Sequence, residues 1–87
     1  MNRVGFTDTE MEQVVLAVVD GAGGPIRRVE IEKIANKLLD DVSDARVTIG
    51  IFELIVAGDM NVRRHGKVLK FRLTEQGKER AEKMARR

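Results

Sequence analysis

The side chains able to do chemistry in this chain are mostly gathered in one stretch. Between Met60 and Leu73 stand Arg63, Arg64, Lys67, Lys70 and Arg72, with His65 and no acidic residue. Cations at that density suit phosphate oxygens, whose counterions they displace, and an arginine also fits a narrow minor groove. The competing reading is a solvated edge hairpin whose charges keep it from pairing with other strands. Nucleophilic chemistry has little to work with. The chain holds one serine, Ser43, one histidine, His65, and no cysteine. Ser43 is placed to cap a helix and His65 to sit in a turn, so no triad is expected. Asp40, Asp41 and Asp44 lack the alternating pattern and closing glutamate of a calcium loop, so no metal is expected. Gly21-Ala22-Gly23-Gly24-Pro25 has no strand before it and no Gly-Lys-Ser/Thr after it, which argues against a phosphate loop. The expectation is a binding protein, not an enzyme, with no cofactor.

Composition narrows the class further. A chain of 87 residues with 43% apolar and 34% charged side chains makes one small folded domain, residues 1–87. The net charge of +2 hides a division: six Lys/Arg against eleven Asp/Glu in residues 1–59, ten against three in 60–87. That asymmetry gives the surface one basic pole. Tyrosine and tryptophan are absent and the three phenylalanines sit at core-like positions, which disfavours base stacking on single strands. No apolar run approaches the roughly 20 residues of a membrane span, and the first residues lack a signal-peptide core, so a cytoplasmic protein is expected, with no membrane partner.

The elements that must position the basic stretch follow from periodicity. Thr7 and Glu10 have capping-box spacing, with Phe6 placed to staple against Met11. Met11, Val14, Val15, Val18 and Val19 then mark the core face of a first helix that should end at Asp20-Gly21. Leu16 falls on its polar side, among Glu12, Gln13 and Asp20, as an exposed residue and a candidate partner contact. Pro25-Ile26-Arg27 reads as a short edge strand. A second helix over about 29–39 carries Ile31, Ile34, Ala35 and Leu38 with Leu39 beside them, and Asp40-Asp41-Val42-Ser43 turns into a third. Ser43 opens that helix and Gly58 closes it. Val47, Ile51, Leu54 and Ile55 form its core face, and Ala45, Ile49, Phe52 and Val56 form a second apolar stripe. Arg46, Gly50, Glu53 and Ala57 remain for solvent. There Gly50 is either a tolerated surface glycine or, with Ala57, a point of close approach for another backbone. A His65-Gly66 turn pairs Met60 with Phe71 and Val62 with Leu69, with Leu73 on the same face. Thr74 caps a last helix to about Ala85, whose thin apolar stripe is Ala81 and Met84 and whose first turn Gly77 weakens.

This order of elements, α+β and helix-rich, resembles the winged helix-turn-helix superfamily, and is similar to small archaeal and bacterial MarR- and PadR-like regulators. Leu54-Ile55-Val56-Ala57-Gly58-Asp59-Met60 looks like the end of a recognition helix passing into the wing. Leu73-Thr74-Glu75-Gln76-Gly77-Lys78 looks like the Leu-Thr-x-x-Gly-Lys/Arg segment that follows it. The resemblance implies a winged helix of helix, short strand, helix, helix, two-stranded wing and helix, and a dimeric regulator of transcription bound to double-stranded DNA. On that reading Arg63, Arg64, Lys67, Lys70 and Arg72 hold phosphates, and Arg46 and Thr48 read bases. The third helix departs from the pattern, because it offers few other polar side chains. The alternative is a protein-interaction module using its apolar surface. A homodimer would use Leu16, or Ile49, Phe52 and Val56; a last helix folded back over that stripe would instead leave a monomer.

Overall fold

The computed structural model describes residues 7–39 and 43–86. The chain runs α1 (Asp8–Ala22), β1 (Ile26–Arg27), α2 (Arg28–Leu38), α3 (Asp44–Ala57), β2 (Met60–His65), β3 (Val68–Leu73) and α4 (Glu75–Ala85). The Phe6 staple and the Asp40-Asp41-Val42 turn lie outside the described residues.

The α1 helix starts on the expected reciprocal cap. The Glu10 amide donates to Thr7 Oγ1 at 3.0 Å, and the Thr7 amide donates to Glu10 Oε1 at 2.7 Å. It runs one residue past Gly21 and closes on Gly23 in the left-handed region. Helices α2, α3 and α4 and strand β3 all pack against α1, making it the centre of the molecule. That arrangement overturns the expectation for Leu16, which is 0% exposed. A helix covered from several directions buries more than one stripe, so the polar side on which Leu16 falls is roofed as well. Leu16 is a core residue and is closed to any partner. Its neighbour Glu12 is half-buried and reaches Arg80 Nη2 of α4 at 3.6 Å.

Gly50 is likewise buried, not exposed. A Cβ there would lie 3.0 Å from Met11 Cγ and 3.5 Å from Val15 Cγ2, so α3 crosses α1 at this point. The close approach is to the chain's own first helix. On α2 only Ile31 and Ala35 of the expected stripe are buried, while Ile34 and Leu38 are exposed. The core of so short a chain covers a strip of α2 one residue wide, and no described residue roofs the next strip.

The three strands form one antiparallel sheet in the order β1-β3-β2, with β1 at an edge as expected. Ile26 pairs with Phe71, and the hairpin register is Met60 with Leu73, Val62 with Phe71 and His65 with Val68. The turn is therefore Gly66-Lys67, not His65-Gly66, and the expected register is wrong by two residues. Gly66 supplies the positive φ of 65° that the first position of a tight hairpin turn requires. A shift of two preserves parity, so Met60, Val62, Leu69, Phe71 and Leu73 still share a face. Only Met60, Phe71 and Leu73 reach the core, since Val62 and Leu69 lie beyond its rim.

Helix α4 is capped by Thr74, whose Oγ1 accepts from the Gly77 amide at 3.1 Å. Ala81 is buried and Met84 packs against the core, as the thin stripe predicts. Among the described residues, no helix is long and apolar enough to cross a membrane.

Candidate nucleic-acid interface

The root of the hairpin is fixed by a buried carboxylate that sequence reading missed. Asp59 is 2% exposed, and its Oδ1 accepts from Gln76 Nε2 at 2.8 Å while Oδ2 accepts from Arg80 Nη1 at 2.6 Å. The same Gln76 nitrogen donates to the Ala57 carbonyl, Thr74 Oγ1 donates to the Gly58 carbonyl, and the Thr74 amide donates to the Asp59 carbonyl. The end of α3, the start of β2 and the first turns of α4 are thereby tied together. Gly77 is part of this joint. A Cβ on it would lie 1.9 Å from the Asp59 carbonyl oxygen, so only glycine lets α4 approach so closely. The signal in the sequence was the Leu-Thr-x-x-Gly segment, whose glycine serves close packing.

Beyond that root the hairpin leaves the body of the protein. Every residue from Asn61 to Leu69 is exposed. Arg63, Lys70 and Arg72 alternate on one face with Asn61, His65 and Val68, and Arg64 stands on the other face near the tip. Among the described residues, none of Arg63, Arg64, Lys67, Lys70 or Arg72 has an acidic group within ion-pair distance, whereas Arg27, Arg28, Arg46, Arg80 and Arg86 all do. Lys70 feels Glu30 only at longer range. Glu30 itself sits below the usual carboxylate range, chiefly because it accepts the Arg27 amide, and then the Arg27 side chain.

The outer face of α3 carries a different chemistry. Val47, Gly50, Ile51 and Leu54 are buried, and opposite them lie Ala45, Ile49, Phe52 and Val56, all exposed. Ile49 is 50%, Phe52 60% and Val56 86% exposed. Sequence reading placed this stripe beside the core face; it is on the far side of the helix. Arg46 and Thr48 are half-buried on its two flanks. Arg46 Nη2 lies 3.5 Å from Asp8 Oδ1 at the start of α1. Glu53 is held above the usual carboxylate range by a hydrogen bond with the Glu12 carboxyl, with desolvation and the charges of Glu12 and Asp8 adding to it. A last helix folded over the stripe is excluded, because α4 packs on α1 and β3 and leaves these side chains in solvent. The described residues hold no cluster of three metal-ligating side chains.

A helix-turn-helix backed by α1, with a three-stranded sheet whose hairpin projects beside the second helix of the motif, defines the winged-helix fold. Solved structures of that architecture superpose closely on the chain. A ZitR mutant from Lactococcus lactis in apo form matches with a TM-score of 0.76 and 18% identity, over 91% of this chain and 57% of that one. SSV1 F-93 matches with a TM-score of 0.75 and 24% identity, over 97% of this chain and 88% of that one. The adhesin competence repressor AdcR from Streptococcus pyogenes matches with a TM-score of 0.72 and 20% identity, over 87% of this chain and 53% of that one. The chain thus spans little more than half the length of ZitR and AdcR. No family model matches the sequence, and no curated protein matches it.

Proposed function

We propose that the chain is a duplex-DNA-binding regulator of transcription that grips phosphates through its wing. The observation that carries this reading is the set of five cations on a projecting hairpin, none of them paired with an acid among the described residues. Exposed or half-exposed cations on a narrow ribbon can reach phosphate oxygens on both sides of a groove and release counterions as they do. Arg63, Arg64, Lys67, Lys70 and Arg72 make those contacts. Arg46 and Thr48, on the flanks of α3, reach base edges only at the margins. That AdcR is a repressor agrees with the reading. A regulator of this kind works in the cytoplasm, with no cofactor and no chemistry of its own.

The test is a titration with random-sequence duplex at two salt concentrations. Five phosphate contacts predict an affinity loss of about 10²- to 10³-fold between 50 and 200 mM salt. Salt-independent binding, or none, would refute the reading.

The second reading is a protein-interaction module, or a homodimer, built on the α3 stripe. Its support is the exposure of Ile49, Phe52 and Val56, a contiguous apolar surface. With Leu16 buried, this stripe is what remains of the expected dimer surface. A partner seated on it occupies the face of α3 that a duplex would need, so the two uses compete. Sedimentation equilibrium over micromolar concentrations tests it: a single species near 9.8 kDa throughout rules out the homodimer.

A further inference from the structure

We infer that the apolar stripe of α3 reads thymine, by packing Ile49 and Phe52 against its 5-methyl group in the major groove. The inference rests on the duplex-binding reading and names the bases that the site selects. It starts from position. Ala45, Ile49 and Phe52 occupy the outward face of α3, opposite the buried Val47, Ile51 and Leu54, over the first two-thirds of the helix. In a helix-turn-helix the second helix lies in the major groove and its N-terminal residues meet base edges.

The second step is chemical elimination. Guanine is read by arginine or lysine and adenine by asparagine or glutamine. The sequence of α3, Asp44 to Ala57, contains no lysine, asparagine or glutamine. Its single arginine, Arg46, is half-buried on one flank and drawn toward Asp8, and its single threonine, Thr48, is half-buried on the other, so both stand off the centre of the face. Cytosine would be read by a carboxylate, but Asp44 lies 3.9 Å from Arg28 and Glu53 is turned to Glu12. What the centre of this face can recognise is apolar, and the one apolar group displayed in the major groove is the thymine methyl. Such contacts supply selectivity with little affinity of their own, and the cations of the wing supply the affinity.

A second copy of the chain fits the stripe less well. The exposed parts of Ile49, Phe52 and Val56 amount to on the order of 300–400 Å², about half of what each partner of a stable interface buries. That area is typical of the largest patch on a monomer. It is ample for two methyl groups.

The test compares two A·T-rich 20-base-pair duplexes of one sequence, one containing thymine and the other uracil throughout, which differ only in the 5-methyl groups. The full chain and its Ile49→Ser/Phe52→Ser variant are titrated with both by fluorescence anisotropy, with circular dichroism confirming that the variant is folded. Both positions are exposed, so the variant should fold. Burying one methyl favours binding about fourfold, so two contacts predict that the natural chain prefers the thymine duplex by roughly 15-fold. The variant should bind both duplexes equally, with its salt dependence unchanged. Tight, salt-dependent binding by the natural chain that ignores the methyl groups overturns this inference and leaves the duplex-binding reading standing. Discrimination that survives in the variant also overturns it, by placing the selection in the wing. A concentration-dependent dimer that the substitutions abolish, with no methyl effect, gives the stripe to a second copy. Failure to bind any duplex defeats the duplex-binding reading and the inference with it.

Discussion

Arg80 stands at the root of the hairpin and Arg63 on its arm, in opposite circumstances. Arg80 places Nη1 2.6 Å from a carboxylate oxygen of the buried Asp59 and Nη2 3.6 Å from Glu12, so two acids account for its charge. Arg63 lies on the exposed arm of the hairpin, where no acid among the described residues is within ion-pair distance of it. The root of the hairpin is a neutralised, hydrogen-bonded joint that serves the fold. The arm is a run of charge with no acid within ion-pair distance among the described residues. On the proposed reading, pairing separates cations that serve the fold from those offered to phosphate better than exposure does, since exposed Arg27 and Arg86 are also paired.

Breaking the root should cost the most. Gly77→Ala would favour helix formation by about 1 kcal/mol on propensity alone. Its Cβ, however, would overlap the Asp59 carbonyl oxygen, and backbone cannot yield as a flexible side chain does. The expected result is a loss of about 3 kcal/mol or more, measured by urea denaturation. A neutral or stabilised variant would show that α4 does not approach Asp59 so closely. Asp59→Ala comes next, at about 2–3 kcal/mol, because it leaves Gln76 and Arg80 without their acceptor. Partial exposure of Arg80 and its second partner Glu12 hold the figure below that for a fully buried pair.

The smallest effect belongs to Glu53, and it depends on pH. Its folded pKa lies above the ordinary glutamate value, so the folded state holds this proton more tightly than the unfolded chain. Stability from this group is present below the unfolded value and is lost as pH rises through the folded one. Glu53→Gln removes that loss. The variant should match or slightly exceed the natural chain at pH 7, with a flatter stability profile from pH 4.5 upward. A variant less stable at pH 7 would mean that ionised Glu53 serves the fold.

Much of this architecture was legible in the sequence, because local signals and tertiary packing agree there. The Thr7/Glu10 box, the Ser43 and Thr74 caps and the hairpin between Met60 and Leu73 all depend on nearby residues. Leu16 and Gly50 were misjudged because their burial depends on how many neighbours surround α1, which a wheel drawn for one helix does not contain. The turn slipped because both His65-Gly66 and Gly66-Lys67 place the glycine in the loop and keep the same side chains on the core face. Asp59 and Gly77 act across 18 positions of sequence, so the Leu-Thr-x-x-Gly segment marks the glycine but not the residue it packs against. The five wing cations needed only composition to be found. That no acid among the described residues pairs with them needed the structure.

The claim that the arm of the hairpin serves a duplex while its root serves the fold is tested most directly by Arg63→Ala/Arg64→Ala. Log affinity for random duplex is plotted against log salt concentration for the natural chain and the double variant. Two lost phosphate contacts should flatten the slope by about 2, weaken binding similarly for all sequences and leave the unfolding midpoint where it was. An unchanged slope, or a double variant that loses stability instead of affinity, would contradict it.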